Sequence, residues 1–146
     1  MNKKYSFTGK TSKVGKHVLH RIKAEIDIPV MGVKKGDLGG WIENERNLSH
    51  DGICWVANNA KVYGNALVSD KALVSEDARV YGDARITDCA HVYGHARVYG
   101  KSWIFERGRI YGNACVYGEA WVASDAQVCG NACAYGMTHI FGDTMV

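Results

Sequence analysis

A six-residue period runs without a slip from Trp55 to the end of the chain. Fifteen complete hexads fit between Trp55 and Thr144, and their second place is Val or Ile in fourteen, the exception being Ala134. The sixth place is always small: Ala, Ser, Gly or Thr. An α-helix cannot carry this pattern, because six residues rotate about 600° and each repeat would slip by about 120°. A short strand can, since alternate side chains point to opposite faces. The sixth and second places then point inward and the first and third outward. The fourth and fifth, often Gly-Asn or Gly-Asp, turn a corner where glycine accepts a positive φ. Three such sides close an 18-residue coil, and coils stack at ~4.8 Å. The spacing predicts an all-β chain with about five coils.

With this pattern in view, the chain resembles the hexapeptide-repeat, left-handed parallel β-helix proteins. The left hand is what that resemblance implies. A narrower likeness lies in Val33–Ser49, which reads VKKGDLGGWIENERNLS ahead of the repeats. This segment resembles uncharacterised repeat proteins of phages and enteric bacteria, among them the YdcK type. That resemblance implies a phage or prophage accessory protein and brings little chemistry with it.

The first 54 residues read as a cap. Val18, His20, Ile22, Ala24, Ile26 and Ile28 alternate with Leu19, Arg21, Lys23, Glu25 and Asp27, which reads as a half-buried strand. Tyr5–Thr8 is expected as its partner and Gly9–Gly15 as the turn. Such a β-hairpin would hide the open strand edges of the first coil. Asp37–Gly40 reads as a tight turn feeding Trp41 and Ile42. The domain reading is therefore a β cap over 1–40 and a repeat unit over 41–146.

The chain has 146 residues, enough for one compact unit, and a net charge of +3. That sign weakens any reading as an acidic mimic of DNA. The charge is uneven: residues 1–54 hold ten Lys and Arg against six Asp and Glu, and the repeats hold eight against nine. There are 17 Gly and a single Pro, Pro29, which suits many tight corners and not a disordered linker. Five Cys, an odd number without a CxxC pair, suggest free thiols in a reducing cytoplasm. No apolar run is long enough to cross a bilayer, and none follows the basic start as a secretory leader would require.

Residues 18 apart stand above one another, so each outer face reads as a ladder. The first face shows Trp55, Leu73, His91, Arg109 and Gln127 beside Ala57, Ser75, Tyr93, Tyr111 and Cys129. The second shows Lys61, Arg79, Arg97, Cys115 and Cys133 beside Tyr63, Tyr81, Tyr99, Tyr117 and Tyr135. Basic groups interleaved with aromatics are one way to bind single-stranded nucleic acid. The five tyrosines are read first as a stabilising ladder or a protein contact, with each stacked pair contributing about 0.5–1.5 kcal/mol. The third face gathers Trp103, Phe105, Trp121, His139 and Phe141. Exposed indoles mark an interface more often than a bare surface; the bland alternative is cover by the Arg85 and Arg107 stems.

Hexapeptide-repeat relatives include trimeric acyltransferases with a His base, which makes His91, His95 and His139 the residues to weigh. No insertion interrupts the repeats to shape a donor pocket. His91 and His95 flank one corner, and two ligands make a weak metal site. Cys115 and Cys133 face each other on neighbouring coils, a relation that rarely meets disulfide geometry. The glycines serve corners and open no phosphate-binding helix. The expectation is a non-catalytic binding protein without cofactor or metal. It associates as a dimer or trimer through the third face or by end-to-end stacking of its last coil. A host protein, a defence factor for example, is its foreign partner. An acyltransferase and a structural self-assembling protein are the alternatives.

Overall fold

The computed structural model describes residues 3–146. Two antiparallel strands, β1 (Tyr5–Val14) and β2 (His17–Ala24), form a hairpin, and β3 (Leu38–Ile42) follows a 3-10 turn at Pro29–Met31. Fifteen two-residue strands then succeed one another, from Trp55–Val56 to His139–Ile140. They stack in parallel as three sheets, one per face of a β-solenoid.

The register is the one the hexads dictate. Lys61 pairs with Arg79, Arg79 with Arg97, Arg97 with Cys115 and Cys115 with Cys133, a step of 18 residues each time. All fifteen fourth-place residues have φ between 53° and 72°, nine of them glycine and six not. The Val/Ile column is buried along the whole stack, and the small sixth-place column is buried as far as Ala126; in the last turn Ala132 is half-buried and Thr138 and Thr144 are exposed. Where the sixth place is a hydroxyl residue, the oxygen turns back locally. Ser102 Oγ donates to the Tyr99 carbonyl at 2.8 Å, and Thr138 and Thr144 repeat the arrangement at 2.7 and 2.8 Å. At Ser102, which is fully buried, a polar group is thereby satisfied inside an apolar prism.

Six turns are present where five were expected, because the segment ahead of the regular hexads already makes one. Ile42 pairs with Val62 and Leu48 with Val68, each a step of twenty, whereas Val56 pairs with Val74 in the ordinary step of eighteen. The two extra residues lie between Leu48 and Trp55. The Ile53 and Cys54 N–H groups both donate to the Asp70 carbonyl there, at 3.0 and 2.9 Å. The buried Lys4 closes this bulge from the inside. Its ammonium donates to the Cys54 carbonyl at 2.8 Å and reaches Cys54 Sγ at 3.1 Å.

The cap departs from its sequence reading in several details. β1 runs on to Val14, the turn is Gly15–Lys16, and Gly9 (φ 97°) sits where the register shifts between Phe7 and Thr11. The Gly- and Lys-rich stretch expected to be loop is held extended by pairing with β2. Leu19 is buried while Val18 and Ile26 are exposed, so the even-position alternation holds only at Ile22, Ala24 and Ile28. The pairing of β2 with β3 is itself irregular between Arg21 and Lys23. Leu38–Gly40 is strand, not turn. A Cβ on Gly39 would lie 2.7 Å from Ile22 Cγ1 and 2.8 Å from Trp55, so glycine is needed there for close approach. Trp55, expected on an outer face, is 1% exposed under this cap. The hairpin does not lie across the stack as a lid. It extends the second-face sheet in the order β1, β2, β3, and so pairs that open edge.

Candidate functional site

The second face carries the tyrosine ladder as drawn from the sequence. Tyr63, Tyr81, Tyr99, Tyr117 and Tyr135 stack with centroids 4.9–5.5 Å apart and planes within 13° of parallel. The inner ring faces of the ladder are therefore covered by neighbouring rings, while Tyr135 ends it 58% exposed. Tyr63 was expected on the outer edge but is only 6% exposed, because the His17 ring covers it at 5.0 Å. Burial pushes the Tyr63, Tyr81 and Tyr99 hydroxyls above their ordinary range. Arg79 is half-buried beside them and Arg97 exposed. Cys115 and Cys133 continue that column as free thiols, and burial and then the neighbouring Cys133 push the Cys115 thiol up.

The first and third faces use polar residues on themselves. Ser75 Oγ meets His91 Nε2 at 3.0 Å, Trp103 Nε1 donates to Thr87 Oγ1 at 2.8 Å, and Tyr111 donates to Gln127 Oε1 at 2.6 Å. All three join a third place to the first place sixteen residues later, a diagonal outward neighbour on the next turn. The Ser75–His91 contact thus belongs to a structural series that recurs on the third face. Burial and then Arg109 hold the His91 ring below its ordinary value, so it is neutral near pH 7. His95 lies at a corner with Asp77 3.8 Å away, and His139 lies on another face. The fold does not bring the three histidines together. Among the described residues no group of three or more His, Cys, Asp or Glu converges as a metal site.

The third face brings its expected residues into one contiguous row. Trp103 stacks on Phe105 at 4.2 Å, meets Trp121 edge-on at 5.7 Å, and Trp121 stacks on His139 at 4.4 Å. His139 leads to Phe141 at 5.9 Å. Trp121 is 37% and Phe141 45% exposed. The Arg107 guanidinium is held by Asp125 at 2.6 Å, and Arg85 lies beside Trp103 in register on the neighbouring turn. Along one side runs a groove of about 540 Å³, lined by Asn65, Asp83, Arg85, Lys101, Trp103 and Trp121. The first-place and fifth-place side chains of adjacent turns form its two walls. Sequence reasoning missed the groove, the diagonal bonds and the Lys4–Cys54 plug. The i to i+16 recurrence of paired polar residues was a signal for the second; a buried lysine in a cap leaves none.

The family model described as YdcK β-solenoid repeat matches residues 60–76 and 90–106. Those two matches and the stacked parallel solenoid fit a YdcK-type repeat protein. No curated protein matches the chain significantly. Among the described residues no helix is long and apolar enough to cross a membrane.

Proposed function

We propose that this chain is a non-catalytic binding protein, working in the cytoplasm of a bacterial host cell, whose third face docks a protein partner. The observation that carries this reading is the contiguous aromatic row from Trp103 to Phe141, half-buried at Trp103 and Phe105 and exposed at Trp121, His139 and Phe141. Apolar area left in water forgoes ~25 cal/mol per Å². Indole and phenyl rings on a rigid face are also the usual centre of an interface. The resemblance to phage and prophage repeat proteins supports a host protein as the partner, a defence factor included, held and thereby inhibited or sequestered. A second copy on the same face gives a dimer or trimer. The tyrosine ladder, its inner ring faces used up internally, supports the stack and offers nucleobases little to lie on.

Trp103→Arg with Trp121→Arg tests this. Immobilised wild type should retain a protein from bacterial lysate, or scatter light as a species above 16.0 kDa. The double variant should lose both properties while still melting cooperatively, a few degrees lower for the lost Trp103–Thr87 bond and ring contacts. A wild type that is monomeric and retains nothing overturns the proposal. A saturable rise in melting temperature with acetyl-CoA overturns its non-catalytic part in favour of an acyltransferase.

A further inference from the structure

The corner between the third and first faces is acidic in a chain that is basic as a whole. Its fourth and fifth places hold Asp70, Asp88, Glu106, Asp125 and Asp143 against Lys71 and Arg107, a net −3 beside a chain total of +3. Asp70 accepts the Asp88 N–H at 3.2 Å and Asp88 accepts the Glu106 N–H at 2.9 Å. Each of these two aspartates spends one carboxylate oxygen on the next turn and keeps the other. Their spacing is one turn, ~4.8 Å, so like charges are stacked. Arg107 neutralises Asp125, while Asp70, Asp88 and Glu106 have no cationic side chain within salt-bridge distance among the described residues.

This corner borders the aromatic row directly. Phe105 precedes Glu106, and the Trp103 indole donates to Thr87, the residue before Asp88. Rings and unpaired carboxylates side by side complement a guanidinium, which stacks on an aromatic face and forks its N–H groups to a carboxylate. From this charge complementarity, and resting on the reading of the third face as a docking surface, we infer that its partner presents an arginine-bearing basic segment. The exposed Trp121 ring packs against its guanidinium groups, and Asp88 and Glu106 take its charge. A nucleic acid would bring phosphates against a net-negative corner, which the same electrostatics oppose.

The test uses dye-labelled synthetic peptides repeating Arg-Gly-Ser, Lys-Gly-Ser or Glu-Gly-Ser, titrated with the full chain and read by fluorescence anisotropy. The arginine peptide should bind tightest, weaken with added salt, and leave the glutamate peptide unbound. The triple variant Asp70→Asn, Asp88→Asn, Glu106→Gln keeps every acceptor oxygen for the backbone N–H groups and removes three charges. It should melt no lower than wild type and bind the arginine peptide about tenfold more weakly. Trp121→Ala should weaken it as well. Arginine-peptide binding unchanged in the triple variant but lost in Trp121→Ala overturns the basic-partner inference and leaves the docking surface standing. Binding lost in neither variant overturns both. Tighter binding of a single-stranded oligothymidylate overturns the inference in favour of nucleic acid.

Discussion

At each fourth place one backbone conformation must be held, and the three corner columns hold it in two ways. The column after the tyrosine ladder is glycine throughout: Gly64, Gly82, Gly100, Gly118 and Gly136. A Cβ on Gly100 would come within 2.7 Å of the Gly118 nitrogen and 2.8 Å of its carbonyl oxygen. The other columns admit Asn58, Asp70, Glu76, Asp88, Glu106 and Ser124 at positive φ. Several of these recover the strain with a bond to the next turn: Asn58 accepts the Glu76 N–H at 3.0 Å, and Glu76 the Gly94 N–H at 2.8 Å. Left-handed backbone costs an ordinary residue about 1–2 kcal/mol. Gly100→Ala should therefore lose about 1–3 kcal/mol in denaturant unfolding, strain and crowding together. Asp88→Gly, which relieves strain while losing one exposed bond, should change stability by about 0.5 kcal/mol or less. Equal losses for the two would show that crowding in the glycine column is not what selects glycine.

Between elements, the chain divides into a part whose geometry is written in a period and a part whose geometry is negotiated. Strand, corner and inward face of the repeats were legible because one conformation recurs at every fourth place and one apolar column at every second. The aromatic row followed from the same arithmetic, since residues 18 apart must touch. The cap has no period. Gly39 and Gly40 looked like a turn, but they are small because Ile22, Trp55 and Val56 crowd them. Trp55 occupies an outward place, and only the arrival of the cap makes that place interior. Hydrogen bonds fasten cap to stack through two carboxylates. Glu43 accepts from His17 Nδ1 and from the Gly64 N–H, both at 2.9 Å, and Glu45, bonded to His50 at 2.9 Å, pairs with Lys3 of the cap at 3.5 Å. Burial pushes the Glu43 carboxyl up, yet the bonds from His17 and Gly64 outweigh it, and its folded value lies below the ordinary 4.5. The His50 bond likewise lowers Glu45. A depressed folded value means stability that is present above pH 4.5 and lost as pH falls through the lowered value. Hydrogen exchange in β1 and β2 should accelerate below that pH before exchange in the repeats does. Glu43→Gln should flatten the dependence; cap and repeats loosening together at one pH would contradict it.

For the molecule as a whole, the prism leaves no second place to put a charge. Tyr5, Ile22, Ala24, Ile28 and Val33 of the cap lie in the same buried cluster as the repeat valines, from Val56 to Ile140. There is one core, and it is only as wide as the side chains that three short strands turn inward. Val98 stands in its fourth turn, fully buried, with Val80 above and Val116 below in register. Val98→Asp would set a carboxylate among these methyl groups with no cation or free N–H to meet it, since the neighbouring backbone N–H groups are spent on the ladder between turns. Burying an unpaired charge costs several kcal/mol, against a total stability of about 5–15 kcal/mol for a domain of this size. A solenoid turn contacts only its neighbours, so the defect also separates the turns on either side. The expected outcome is loss of soluble, cooperatively melting protein. Arg97→Asp, one residue away on the exposed side of the same strand, puts the same carboxylate into water and should melt within a few degrees of wild type. The pair compares one charge on the two sides of one strand, read by soluble yield and thermal melting. A cooperative, soluble Val98→Asp protein would mean that water reaches the interior, and that the inward column is not what holds the turns together.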